Sequence, residues 1–229
     1  MNLEKQIYIR KSCRNYLDEE IDMDLIHEFM NSIKLLNGGV SYSYDIMTID
    51  EVNNLARFSA PYYLAIYTDK KENHVDMGFI FQQLCLYLQS IDIGNCWVGL
   101  ASPKKKNSDF VISIAFGKSD DFTRTRDKFK RKGLSKISDV EDEQLIPAQL
   151  APSSINSQPW YFKHSDDGFD VYQVKPNFFK RQFVKKWNSI DVGIALAHMY
   201  VANEDTFEFF KKTDFKDIKG HTYVGSIRI

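Results

Sequence analysis

From Val75 to about Ser90 apolar side chains occupy nearly every face of a helix, and a helix without a polar side must be enclosed by protein all round. Asp76, Gln82, Gln83 and Gln89, with Asp92 just beyond, interrupt the run with groups that would be costly in lipid, so the pattern predicts a core helix and not a membrane span. Enclosing it takes a sizeable core. The 229 residues, 43% of them hydrophobic, are enough for one large domain or two intimate halves.

The surrounding spacing predicts the enclosing elements. Leu25, Ile26, Phe29, Met30, Ile33 and Leu36 recur at helical intervals, with Asp22 as N-cap and Gly38-Gly39 as the stop. Ala60 to Thr68 is apolar on both alternations, as an interior strand entered through a proline should be. Ile91-Asp-Ile-Gly94 ends the core helix, and Phe110 to Phe116 forms another strand closing at Gly117. Residues 118 to 144 are polar and densely charged, the natural linker between a first half (1–122) and a second (123–229). In the second half, Tyr161 to His164 and Phe169 to Val174 flank the turn Asp166-Asp-Gly168 as a hairpin. Trp187 to Asn203 reads as a helix, and His221 to Ile229 as a terminal strand that needs a sheet edge. One faint echo links the halves: Asp76-Met-Gly and Asp191-Val-Gly each open a buried helix.

A formal net charge of −1 argues against a generally basic nucleic-acid binder. Three cysteines, Cys13, Cys85 and Cys96, without CxxC spacing point to free thiols in a reducing cytosol, and the N-terminal stretch has no apolar signal-peptide core. Five scattered histidines show no metal-ligand spacing, and neither GxGxxG nor a P-loop is present, so no metal site is assigned. His198, on a buried helix, reads as a satisfied core histidine.

Two segments carry chemistry. Arg10-Lys-Ser-Cys-Arg14 sets two guanidiniums and a hydroxyl within one extended turn, a combination suited to a phosphate monoester; a solvated basic stretch is the competing reading. Ala151-Pro-Ser-Ser-Ile-Asn-Ser-Gln-Pro-Trp160 is a proline-stiffened polar loop beside a large aromatic, a wall that a planar, polar-edged heterocycle would fit. An ordinary turn with Trp160 in the core is its alternative.

Taken together, Arg-x-Ser-x-Arg and Ala-Pro-Ser-x-x-Asn-x-Gln-Pro-Trp resemble the nitroreductase superfamily of FMN enzymes. The resemblance extends to Ala60-Pro-Tyr-Tyr, the Asp76-x-Gly helix with its exit Gly94-Asn-Cys-Trp-Val-Gly99, Phe116-Gly117 and Arg131-Lys-Gly-Leu134, and covers most of residues 8 to 200. It implies an α+β nitroreductase-like fold, a mixed but mainly antiparallel sheet with flanking helices. The order departs from ordinary members, which carry the Pro-Ser-Asn loop after the first helix, where this chain has Gly39 to Asp45. The chain therefore resembles a single-chain branch with two pseudo-symmetric halves and one surviving site, for which a monomer suffices.

Carried over position by position, the resemblance places Arg10, Lys11, Ser12 and Arg14 around the FMN phosphate and ribityl chain, helped by Lys130, Arg131 and Lys132. It brings Pro152, Ser153, Ser154 and Asn156 from the other half, and aligns Val98, Gly99 and Leu100 with the strand exit whose backbone faces the flavin. Arg57 is the nearest candidate for its pyrimidine edge. The implied function is hydride transfer from NAD(P)H through FMN to a small aromatic or quinone-type acceptor, with no catalytic side chain required. The rivals are a non-enzymatic FMN-binding or flavin-sensing protein, and an interaction or nucleic-acid module using the six cationic residues of 124–132.

Overall fold

The computed structural model describes residues 2–176 and 187–229. In chain order the helices are α1 (Leu3–Ile9), α2 (Asp24–Asn31), α3 (His74–Ser90), α4 (Ile146–Leu150) and α5 (Asn188–Ala202). The strands are β1 (Ser43–Thr48), β2 (Val52–Asn54), β3 (Tyr62–Tyr67), β4 (Ile93–Val98), β5 (Ala101–Pro103), β6 (Phe110–Lys118), β7 (Trp160–Ser165), β8 (Gly168–Val174), β9 (Glu208–Phe210) and β10 (His221–Arg228).

The all-round apolar helix becomes α3, buried at every position from Asp76 to Gln89. It crosses α5, buried from Ile190 to Met199. What lets two such helices meet is a pair of glycines. A Cβ on Gly78 would stand 2.0 Å from the Ile190 carbonyl oxygen, and one on Gly193 would stand 1.9 Å from that of Val75. The contact is reciprocal: position 78 meets 190 and 194, and position 193 meets 75 and 79. The Asp-x-Gly echo is thus a packing device, with each glycine admitting the other helix's backbone.

Around the crossing lie two four-stranded sheets, ordered β1-β3-β6-β4 and β7-β8-β10-β9. Each is built by the same sequence of two strands, a central helix and two further strands, and the two orders correspond term by term. Each ladder among these strands is antiparallel, while an isolated parallel bridge joins Ser138 to Phe162. The fold is α+β with antiparallel sheets and flanking helices. One core spans both sets, running from Leu64 and Ile114 through Phe79 and Leu84 to Ile194, Leu196 and Val171.

Two elements differ from what spacing predicts. The helix expected to be capped by Asp22 has Met23 at its N-cap, with Asp22 Oδ1 accepting from Asp24 N at 3.0 Å, and it ends at Asn31 although the apolar periodicity runs on to Leu36. Gln83 of α3 captures the chain there: its Oε1 accepts from Lys34 N at 3.3 Å and its Nε2 donates to Lys34 O at 3.0 Å. Those bonds replace the helical ones, and Leu36 reaches the core from a loop. The terminal strand β10 lies inside its sheet, between β8 and β9, and not at an edge.

The charged stretch 118–144 is folded against the first residues of the chain. Lys11 N donates to Phe122 O, Arg124 N donates to Ile9 O, and Ile137 is wholly buried. Among the described residues no helix is long and apolar enough to cross a membrane.

Candidate cofactor site

A cavity of about 790 Å³ opens between the two sets of elements, within the size range of small-molecule and cofactor sites. One wall comes from the extended segment after α1 (Ser12, Arg14), from Ala56 to Phe58, and from β4 with its exit (Cys96 to Leu100). The facing wall comes from Pro152 to Ile155, Trp187 and the start of α5. Of the residues singled out in the sequence, Ser12, Arg14, Val98, Gly99, Leu100, Pro152, Ser153 and Ser154 line this space, as does Arg57. Gly99 is a point of close approach, since a Cβ there would stand 2.5 Å from the Trp187 ring.

The extended backbone after α1 sorts its side chains by alternation. Lys11 turns outward and pairs with Asp121. Arg10 turns inward, is 3% exposed, and donates from Nη2 to Ser12 Oγ at 3.3 Å. Its Nη1 is buried without a partner, as is Nε of Arg131. Arg131 donates through Nη1 to Asn156 Oδ1 at 2.9 Å and through Nη2 to Leu150 O at 3.2 Å. Arg124 joins them, donating from Nε to Arg10 O at 3.0 Å and lying over the Phe129 ring at 4.6 Å.

Among the described residues none of these three guanidiniums forms an ion pair. Burial, then repulsion from Arg131 and Arg124, lowers the Arg10 pKa to about 10. Burial and Arg124 bring Arg131 to about 10 as well. Three neighbouring cations without a carboxylate could hold an anion, to which the orphaned N–H groups of Arg10 and Arg131 could donate.

The remaining sequence candidates stand behind the wall. Asn156, at φ 56°, bonds Arg131 and donates from Nδ2 to Lys130 O at 2.8 Å, so it anchors the loop to the 130–132 segment. Lys132 Nζ donates to Gln158 O at 2.9 Å, and Lys130 contributes its carbonyl. At the start of α5, Asp191 accepts from Ser154 N through both oxygens, at 3.0 and 3.2 Å, and thereby fixes the loop. Burial raises its pKa to about 8. Asp76 plays the matching part in the first half, accepting from Asn37 N at 3.3 Å and Nδ2 at 2.9 Å. The loop around Asn37 is therefore the counterpart of the loop around Ser154.

A directed chain of hydrogen bonds ties the walls together through the helix crossing. Trp97 Nε1 donates to Gln82 Oε1 at 2.8 Å, Gln82 Nε2 lies 3.1 Å from His198 Nε2, and His198 Nδ1 lies 3.0 Å from Pro147 O. A carbonyl can only accept, so His198 carries its proton on Nδ1 and accepts from Gln82 on Nε2. Burial, and then Arg10, lowers the His198 pKa to about 3, so the ring is neutral at physiological pH.

A smaller cleft of about 480 Å³ lies beside Lys34 to Leu36 and β9, the counterparts of the loop and β4. Its arginine, Arg228, is paired with Glu208. Among the described residues that line it, Arg228 is the one guanidinium.

Compared with known families, residues 2–203 match the family described as "Putative TM nitroreductase". The chain belongs to that family. A solved structure of a putative nitroreductase from Thermotoga maritima is similar over 93% of this chain and 91% of its own, with a TM-score of 0.66 and 20% identity. A putative NADH dehydrogenase/NAD(P)H nitroreductase from Bacteroides thetaiotaomicron covers 54% of this chain and 91% of its own, with a TM-score of 0.43 and 14% identity. An FMN-dependent nitroreductase from Clostridium difficile covers 54% and 90%, with a TM-score of 0.42 and 18% identity. Among curated proteins none is similar to the chain.

For this nitroreductase-family chain, sequence reasoning left Arg124 undistinguished within a run of like charges and gave Asp191 no role at the site. The Asp-x-Gly echo marks Asp191 as a helix start but not as the partner of Ser154, and Arg124 differs from Arg126 only in the direction the folded segment turns it.

Proposed function

We propose that the protein is an FMN-dependent oxidoreductase that passes hydride from NAD(P)H by way of FMN to a small aromatic or quinone-type acceptor. One FMN per chain would sit between the halves 1–122 and 123–229. The observation that carries this reading is the group of Arg10, which is buried, with the half-buried Arg124 and Arg131, none of them paired with a carboxylate, lying behind Ser12 of a largely apolar cavity. A phosphate monoester brings roughly −1.5 to −2 charges and several acceptor oxygens, which matches what that group lacks.

Arg10, Arg124 and Arg131 would hold the phosphate, with Ser12 and Arg14 next along the same wall toward the cavity. Val98, Gly99 and Leu100 on one side and Pro152, Ser153 and Ser154 on the other would bracket the ring. Lys11, Lys130 and Lys132 act from outside, closing the cationic segment against Asp121 and the loop. FMN bound there supplies two-electron transfer between a nicotinamide and the acceptor. The protein's own residues bind, orient and exclude water, and no side-chain nucleophile or base is required.

Single occupancy is supported by the second cleft, where the one arginine among the described lining residues, Arg228, is paired with Glu208. The matching sheet orders and the reciprocal glycines support an internal duplication in which the second half supplies what a partner subunit would otherwise bring. Three buried free cysteines accord with a cytoplasmic protein.

The test is the absorption spectrum of the purified protein together with an FMN titration of the flavin-depleted chain. One FMN per chain, and NAD(P)H oxidation dependent on an added quinone or nitroarene, is the expected result. No binding, or two FMN per chain, overturns the site. Stoichiometric FMN without turnover of any acceptor leaves a flavin-binding protein and removes the enzyme.

A further inference from the structure

The link between Asp76 and the loop of the first half hangs on a primary amide in a turn at the surface. Asn37, which carries it, is the one asparagine of the chain followed by glycine. A glycine has no Cβ to shield its amide, so its nitrogen can reach back to the carbonyl carbon of the preceding side chain. Little stands in the way here. Gly38 is exposed, a Cβ placed on it would meet nothing within 4 Å, and among the described residues no acceptor holds its N–H.

The partner of that amide makes its identity matter. Asn37 Nδ2 donates to Asp76 Oδ1 at 2.9 Å, its N–H donates to the same oxygen at 3.3 Å, and Asp76 is 5% exposed. Asp76 stands in the first turn of α3, two residues before Gly78 of the helix crossing. Burial holds its carboxyl above the ordinary pKa, and the Asn37 bonds and then Lys211 oppose that. An amide suits this carboxylate because it brings a donor. A carboxylate in the amide's place brings none and sets a like charge against a buried group.

We propose that Asn37 is a site of spontaneous deamidation, and that the carboxylate it becomes releases the loop from Asp76. The step balances with water as the only co-reactant. Gly38 N attacks Asn37 Cγ and a C–N bond forms; the Cγ–Nδ2 bond breaks, and the Gly38 proton leaves with the amide nitrogen as ammonia. Water then opens the cyclic imide at either carbonyl, giving aspartate or isoaspartate. Neither product keeps the Nδ2 donor, and isoaspartate also adds a methylene to the backbone. No flavin takes part, so FMN content does not bear on the outcome.

The experiment ages the full chain in mildly alkaline buffer and follows its tryptic peptides by mass spectrometry, with a brief digest of unaged protein as the baseline. Cleavage after Lys34 and Arg57 gives a peptide that holds Asn37 together with Asn53 and Asn54. The latter two are internal controls, followed by larger residues and paired in β2. The mass gain of amide to acid should build up at Asn37 alone, with isoaspartate detected by enzymatic methylation. Gly38→Ala should slow it severalfold and still fold as the wild type does, since the new Cβ has open space and the backbone there is not left-handed. Asn37→Asp, the product made directly, should lower the denaturant midpoint. Adding Asp76→Asn should recover part of that loss, because the pair again holds one amide and one carboxylate with donor and acceptor exchanged.

An intact Asn37 in the aged chain, or a mass gain shared equally by Asn53 and Asn54, overturns the site. A Gly38→Ala chain that ages at the wild-type rate overturns the attack by its nitrogen. If Asn37→Asp keeps the wild-type midpoint, or Asp76→Asn deepens its loss, the release from Asp76 is overturned.

Discussion

Arg10 sits in a place where nothing in the folded chain balances its charge: a donor without a partner, two like charges close by, and 3% exposure. Such a residue should weaken the flavin-free protein and strengthen its complex. Arg10→Met is therefore expected to raise the melting temperature of the flavin-free chain while lowering FMN affinity about ten- to a hundredfold, the range of a charged hydrogen bond. Parallel thermal melts and FMN titrations check both signs. Arg10→Lys should recover little of the lost affinity, because an ammonium lacks the planar fork. Asn156→Ala acts at one remove, by freeing Arg131 and the loop, and its loss of FMN affinity should be smaller than that of Arg131→Ala in the same titration.

His198 makes a pH prediction. The imidazole is neutral in the fold down to about pH 3, whereas in the unfolded chain it takes a proton near the ordinary value of 6.5. Above 6.5 it is neutral in both states. Below 6.5 the unfolded chain binds the extra proton, so this residue's contribution to stability is progressively lost toward pH 3. Urea unfolding at pH 7.5 and pH 5 should show a steeper acid loss in the wild type than in His198→Gln. Equal slopes in the two proteins would contradict it.

At the scale of elements, the crossing of α3 and α5 rests on Gly78 and Gly193, where an added methyl would fall about 2 Å from a backbone carbonyl oxygen of the other helix. Backbone cannot step aside as a flexible side-chain tip can. Gly78→Ala and Gly193→Ala should each cost at least the roughly 1–3 kcal/mol typical of overpacking a core, read from denaturant midpoints. The sequence shows the two Asp-x-Gly starts but not their reciprocity, which exists only once the helices meet. It shows α3 almost completely, because burial on every face leaves its mark at every position. It misplaces the end of α2, because the bonds that stop that helix come from Gln83, about fifty residues away. The loop from Pro152 to Trp160 is legible from its prolines and short polar side chains. The inward turn of Arg124 is not, since alternation along an irregular segment is set by what it packs against.

At the scale of the molecule, the site draws on both halves: Ser12, Arg14 and the β4 exit from one, Pro152 to Ile155 and the start of α5 from the other. The second half's wall is fixed by Asp191 and its loop, and the His198 chain spans the crossing to Trp97 on the first half's wall. A symmetric dimer built on such a contact would have to carry the same residue on both faces of its two-fold axis. Here the two clefts differ: among the described residues Arg228 meets Glu208 in one, while Arg10, near the other, meets no carboxylate.

The glycine crossing has a further consequence. It joins segments of one covalent chain, so the two walls see each other at a fixed local concentration, however few molecules are present. FMN content and melting temperature of the loaded protein should then be unchanged from micromolar to nanomolar chain, with free FMN held constant. An assembly of separate subunits would shed its flavin over the same dilution.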